Sequence, residues 1–190
     1  MYLNMKSVFD IFVSFFLLVF LFIPIILLSL MIKLSSSGDI LFWSDRIGKN
    51  NIIFSMPKFR TMKKNTPQLA THLLEDPESF YTPLGKILRK YSLDEIPQIF
   101  SVIKGDMSLV GPRPALFNQY DLMELRKNKG IDKLKPGITG LAQINGRDEM
   151  SIPDKVRYDE EYLQRSSMRL DLHILWLTFL KVLRKEGVSH

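Results

Sequence analysis

Cysteine is absent from this 190-residue chain, and histidine is scarce: His72, His173 and His190 are widely scattered. The first absence excludes a disulfide framework, a thiolate metal site and a thiol nucleophile. No H-E-x-x-H, P-loop or G-x-G-x-x-G pattern occurs, which argues against zinc hydrolases, P-loop kinases and dinucleotide-dependent oxidoreductases. Acidic residues are outnumbered, 20 against 26 lysines and arginines, for a net charge of +6. A basic chain suits nucleic acid, anionic lipid or phosphorylated substrates alike. The length allows one domain, or one domain with an anchor.

Charge is missing altogether from residues 11–32, IFVSFFLLVFLFIPIILLSLMI. As a straight helix this run extends roughly 33 Å, enough to cross a hydrocarbon core of about 30 Å. It decides for a membrane and against nucleic acid. It is too long for a signal peptide, and no small-residue cleavage site follows. Pro24 removes a hydrogen bond inside the run. A kinked spanning helix and a helix–break–helix that enters and leaves by one face both fit. Lys6 and Lys33 flank the run and do not orient it. The expected organisation is a membrane anchor over 1–34, kinked or broken at Pro24, followed by a domain over 35–190.

The stretch 92–114, SLDEIPQIFSVIKGDMSLVGPRP, carries the candidate chemistry. Ser92-Leu-Asp-Glu95 fits a capping box ahead of an apolar run. Pro97 is tolerated only in a first turn, so Asp94 itself is an alternative cap. Either way Asp94 and Glu95 are expected in the first turn of a helix, where free N–H groups favour ionised carboxylates and bound phosphate. Such a carboxylate can attack phosphorus, or hold Mg²⁺ against phosphate oxygens. It can also be no more than a cap. Gly105-Asp106 ends the helix and 107–110 reads as a short strand. Pro112 and Pro114 fix the backbone on both sides of Arg113, which suits a guanidinium clamp or a rigid surface turn.

Around this core, Gly48-Lys49-Asn50-Asn51 separates two apolar runs in the manner of a β-hairpin. Lys58 and Arg60 flank Phe59, and on a strand both would point to one face. Residues 65–79 are polar and read as a loop with one helical turn. Residues 82–90 form a short helix whose basic end, Arg89 included, leads into Ser92. Residues 116–135 are helical and basic. Residues 136–147, with three glycines and a proline, read as an irregular loop offering Gln143, Asn145 and Arg147. Residues 152–165 form an acidic helix. Residues 170–183 are apolar, too short to span, and suit either the interface or the core.

Three stretches, 92–114, KFRTM (58–62) and PGITGLAQINGR (136–147), together resemble the bacterial sugar transferases, polyprenyl-phosphate phosphoglycosyl transferases of the small monotopic branch. The resemblance covers nearly the whole chain. It implies an α+β fold: a re-entrant anchor helix, a small α/β catalytic domain with a β-hairpin, and interfacial amphipathic helices. Ile23-Pro24 stands where the small members carry a Ser-Pro pair. The resemblance further implies transfer of a sugar-1-phosphate from a UDP-sugar to polyprenyl (undecaprenyl) phosphate, with release of UMP. Asp94 would be the nucleophile and Glu95 a Mg²⁺ ligand. Lys58, Arg60, Arg89, Arg113, Gln143, Asn145 and Arg147 would contact substrate, and one acid among 154–161 would assist. The domain would face the cytoplasm from the bacterial inner membrane, and a homodimer is compatible with the sequence. The alternatives are direct attack by the lipid phosphate in a ternary complex, with the acid pair only binding Mg²⁺, and a non-catalytic membrane-anchored interaction module.

Overall fold

The uncharged run folds as part of one long helix. In the computed structural model, which describes residues 2–64, 66–67, 76–146 and 150–184, α1 spans Tyr2–Ser35 with Pro24 inside it. Helical structure continues through Pro24 rather than dividing into two helices there. Proline's fixed φ is compatible with a helix, and the chain continues at the cost of the hydrogen bond that residue 24 cannot donate. The helix is long and apolar enough to cross a membrane.

Most of α1 is exposed, including Phe12, Phe16, Val19, Phe20 and Ile23. A single stripe faces the domain. Phe9 and Val13 pack on one core cluster near the N-terminal end, and Ile25, Leu28 and the buried Ile32 pack on another near the C-terminal end. Both ends are therefore held by the same domain. At the first, Lys6 Nζ lies 2.7 Å from Asp171 Oδ2, and Ser108 Oγ donates to Asp10 Oδ2 at 2.7 Å. Just beyond the second, the Arg60 guanidinium donates to the carbonyls of Ser36 and Ser37 at 2.9 and 2.8 Å.

The hairpin is as expected: β1 (Leu41–Ile47) pairs antiparallel with β2 (Ile53–Phe59) around a tight turn at Lys49–Asn51. Of residues 65–79, most lie outside the described residues, and the last three begin a turn at Pro77–Phe80. Then follow α2 (Gly85–Lys90), α3 (Gln98–Lys104) and the fully buried β3 (Ser108–Val110). Gly105, at φ +94°, closes α3 in the left-handed region that suits glycine. A crossover containing α4 (Tyr120–Asn128) returns the chain to β4 (Gly137–Thr139), which pairs parallel with β3.

Within 136–147, the described residues are thus not an irregular loop. They give β4 and the short α5 (Leu141–Asn145). The glycines serve close packing: a Cβ at Gly137 or Gly140 would overlap the backbone of Gly111. Helix α6 (Ile152–Arg165) starts at Ser151, whose Oγ accepts from Asp154 N. Helix α7 (Met168–Arg184) buries Asp171 and Ile174 and exposes Leu172, Trp176, Phe179 and Leu183 at spacings of one helical face. The main core joins Phe54 and Met56 of β2, Val102 of α3, Leu109 and Val110 of β3, Ile144 of α5, Tyr162 of α6 and Ile174 of α7.

Candidate active site

The acid pair sits one turn ahead of a helix rather than in its first turn. Leu93–Glu95 form a separate 3₁₀ turn, Ser92 lies at φ 54° with no side-chain capping bond, and Pro97 occupies the cap position of α3. Proline explains the division. It has no N–H to give to the Leu93 carbonyl, so the chain closes instead with Ile96 N to Leu93 O (3.3 Å) and Ile99 N to Ile96 O (3.2 Å). The capping-box reading of Ser92 is therefore corrected, and so is Asp94 as a cap.

Three basic side chains reach this turn from three elements. Lys58, near the end of β2, places Nζ 2.8 Å from Glu95 Oε1. Met56 and Phe59 are buried in the core, and Lys58 between them is half-buried beside the turn. Arg113, from the Pro112–Pro114 segment after β3, places Nη2 3.2 Å from the same oxygen. Arg89, in the last turn of α2, donates from Nε to Thr61 Oγ1 at 3.1 Å and stacks over Tyr81 at 5.3 Å. Asp94 is 6% exposed. Burial pushes its carboxyl above the ordinary aspartate range, and the Glu95 charge adds to this. Lys58 most, then Arg89 and Arg113, pull it back.

A second layer fixes the Arg113 segment. Arg126 of α4 donates from Nη1 to Arg113 O at 2.9 Å, and its Nε and Nη2 are held by Asp159 Oδ2 at 3.0 and 2.7 Å. Arg46 of β1 donates from Nη1 to Pro114 O at 3.2 Å. The prolines leave these carbonyls as the segment's handles, and two guanidinium groups take them. Asp159 is 1% exposed, and burial raises its carboxyl although Arg126 opposes this. Sequence reading did not single out Arg46, took Arg126 only as part of the basic end of 116–135, and saw Asp159 only among the acids of 154–161. The available signal was a lone apolar-face acid, since Asp159 is three residues from both Val156 and Tyr162, which are also buried.

Arg60 does not share a face with Lys58 but turns back to the linker, donating to Ser36 Oγ at 2.7 Å as well. Gln143 is 6% exposed, and neither amide atom has a partner among the described residues. It lies by Gly140, whose absent Cβ would stand 2.8 Å from Gln143 Oε1 and overlap the Gly111 carbonyl. An unsatisfied amide thus sits beside the strand that leads to Arg113. Asn145 donates to its own helix at Leu141 O, 2.8 Å, and is exposed. Arg147 lies outside the described residues.

The arrangement is a phosphate-ready site: two adjacent carboxylates, one buried, under three cationic groups. Two cavities occur elsewhere, and neither is lined by Asp94 or Glu95. Among the described residues no three His, Asp or Glu side chains cluster as a metal cage.

The profile of a family described as bacterial sugar transferase matches residues 1–185. The chain is 40% identical over 185 residues to the sugar transferase EpsL of Bacillus subtilis, covering 97% of this chain and 90% of that protein. It is 36% identical to the UDP-N-acetylgalactosamine-undecaprenyl-phosphate N-acetylgalactosaminephosphotransferase of Aeromonas hydrophila, over 88% of this chain and 41% of that one. It is 34% identical to the undecaprenyl-phosphate galactose phosphotransferase of Salmonella typhimurium, over 79% of this chain and 34% of that one.

Proposed function

The chain belongs to the bacterial sugar transferase family and is a transferase, and from that premise we propose that it moves a sugar-1-phosphate from a UDP-sugar to undecaprenyl phosphate. The names of its relatives support the acceptor and the reaction. The observation that carries the reading is the buried Asp94 beside Glu95, met by Lys58, Arg89 and Arg113. The diphosphate of the donor replaces Glu95 as the partner of Lys58 and Arg113, which then lie against phosphate oxygens. Asp94 attacks the β-phosphorus. A carboxylate–phosphorus bond forms, the bond to the bridging oxygen breaks, and UMP leaves with that oxygen. Polyprenyl phosphate then attacks the same phosphorus, breaks the bond to Asp94, and departs as the polyprenyl-diphospho-sugar.

Mg²⁺ fits this donor set, because it is commonly held by one or two carboxylates with substrate phosphates completing the shell. Glu95 would hold it, once Lys58 and Arg113 turn to the diphosphate. Bound there, it would neutralise charge on the diphosphate oxygens. Arg126 and Asp159 hold the Arg113 backbone throughout. The orphaned Gln143 amide gives the donor a neutral hydrogen-bonding partner near the Arg113 segment.

The apolar α1 associates the protein with membrane. We place the domain on the cytoplasmic side of the inner membrane, where UDP-sugars are found. Two observations support a monotopic disposition: both ends of α1 dock on one domain, and α7 turns Leu172, Trp176 and Phe179 outward. A helix whose ends are tied to one domain cannot put them on opposite sides of a bilayer unless the domain crosses with it.

The test is intact mass of detergent-solubilised protein with Mg²⁺ and a panel of UDP-sugars, without lipid acceptor. An added phosphosugar, absent in Asp94→Asn, is the expected result. UMP release only after polyprenyl phosphate is supplied, with no adduct, would instead support direct attack in a ternary complex.

A further inference from the structure

A cavity of about 70 Å³ opens at the N-terminal end of α1. It lies at the opposite end of α3 from the acid pair: Lys135, on its rim, brings Nζ within 3.7 Å of where a Cβ on Gly105 would stand, just past the last turn of α3. Its inner wall is Lys6, Asp10, Ser108 and Tyr162, all more than nine-tenths buried.

The polar groups of that wall are unequally satisfied. Lys6 is committed to Asp171, and Tyr162 donates to Asp171 Oδ1 at 2.7 Å. Asp10 Oδ2 accepts from Ser108, and the Leu109 backbone lies by the carboxylate, but Asp10 Oδ1 has no hydrogen-bond partner of good geometry among the described residues. A buried carboxylate oxygen without a donor is costly and asks for one. At the rim the imbalance is of opposite sign. Lys49, Lys133 and Lys135 arrive from the hairpin turn and from the approach to β4. None of their side chains has an ion pair or hydrogen bond among the described residues. The wall's Lys6 faces two carboxylates, Asp10 and Asp171, so the three free ammonium groups leave the cavity with a net positive mouth.

Depth identifies what meets this mouth. Asp10 is the last charged residue before the uncharged run, and Val8, Ile11 and Phe12 on the same turns of α1 are exposed. The mouth therefore stands at the level of lipid headgroups. At about one water per 15 Å³ of such space, the volume has the scale of one phosphate group.

We propose that this cavity is a binding site for an anionic phospholipid whose headgroup carries hydroxyl donors. The lipid phosphate sits among Lys49, Lys133 and Lys135, and a headgroup hydroxyl donates to Asp10 Oδ1. The site is separate from the one that handles the sugar-phosphate, and lipid retention reads it without any turnover.

The experiment is native mass spectrometry of the full chain released from detergent, with phosphatidylglycerol, phosphatidylcholine or inorganic phosphate added. The wild type is expected to retain one phosphatidylglycerol and no phosphatidylcholine. Lys49→Gln/Lys133→Gln/Lys135→Gln is expected to weaken that retention on the order of 100-fold, at roughly fivefold per lysine near a lipid surface. The corresponding triple Lys→Arg variant retains it, and so does Lys127→Gln, elsewhere on the surface. Unchanged melting temperatures show that the variants fold. Equal retention by wild type and the Gln variant would overturn the site. Equal retention of phosphatidylcholine would overturn the anionic headgroup. Displacement of phosphatidylglycerol by millimolar phosphate would assign the cavity to a free phosphate instead.

Discussion

Separating Arg126 from Asp159 should produce two different kinds of damage, because only one of the partners can discharge itself. The pair is nearly dry, with side chains 12% and 2% exposed at 2.7 Å. Arg126→Met orphans a carboxylate, which escapes by taking up a proton. Holding it neutral at pH 7 against an ordinary pKa of about 3.9 costs at most about 4 kcal/mol, three units at about 1.36 kcal/mol each. Asp159→Leu orphans a guanidinium that cannot deprotonate, for which about 3–5 kcal/mol is expected. The double variant buries no charge and should recover most of either loss.

The pH dependence separates the two. Burial already raises the Asp159 carboxyl against the pull of Arg126, and removing Arg126 raises it further. A raised folded-state pKa means that the native protein binds the proton more tightly than the unfolded chain. Its stabilising effect is complete below the unfolded value and is lost as pH rises through the folded one. The Arg126→Met deficit should therefore shrink to about 1.5 kcal/mol or less at pH 5, while that of Asp159→Leu stays put. Thermal unfolding in detergent at pH 5, 6 and 7 measures both. Turnover adds a further readout: the double variant refolds but no longer donates to Arg113 O, so it should remain slow. A pH-independent deficit in Arg126→Met, or a double variant as unstable as the sum of the singles, would refute the reasoning.

Lys58→Met removes the largest force holding the Asp94 carboxyl down, so the acid limb of adduct formation should move to higher pH. Glu95→Gln should move it lower, and quench-flow mass measurements across pH 5 to 8 follow both. Gly140→Ala drives a Cβ into the Gly111 carbonyl, with no side-chain rotamer to absorb it. Circular dichroism and activity should show loss of fold or a site displaced at Arg113. Arg60→Ala frees the linker carbonyls of Ser36 and Ser37, and limited proteolysis should then cut at 35–38 in protein that still forms the adduct.

The elements with a local cause were legible from the residues. The hairpin follows from Gly48-Lys49-Asn50-Asn51 between apolar runs. The end of α3 follows from Gly105, and the start of α6 from Ser151 with Pro153 behind it. The acid pair and Arg113 stood out as candidates because prolines and charges mark them. Elements decided by distant partners were not. Residues 136–147 looked irregular because their glycines loosen the backbone locally. Only the neighbouring Gly111 shows that the same glycines permit a parallel strand at close approach. Lys58 and Arg60 share an alternation but part company, since the strand ends between them and linker carbonyls capture Arg60.

By itself the sequence determined that the chain carries a run long and apolar enough to cross a membrane, that an adjacent acid pair precedes a proline-flanked arginine, and which family it resembles. These depend on composition and on motifs a few residues long. Only the tertiary structure decided that α1 runs on through Pro24 with both ends on one domain, that Asp94 is buried beneath Lys58, Arg89 and Arg113, and that Asp159 reaches Arg113 through Arg126. Each of these is a contact between residues tens of positions apart, and burial, which sets the cost of every charge involved, exists only once the chain has closed around them.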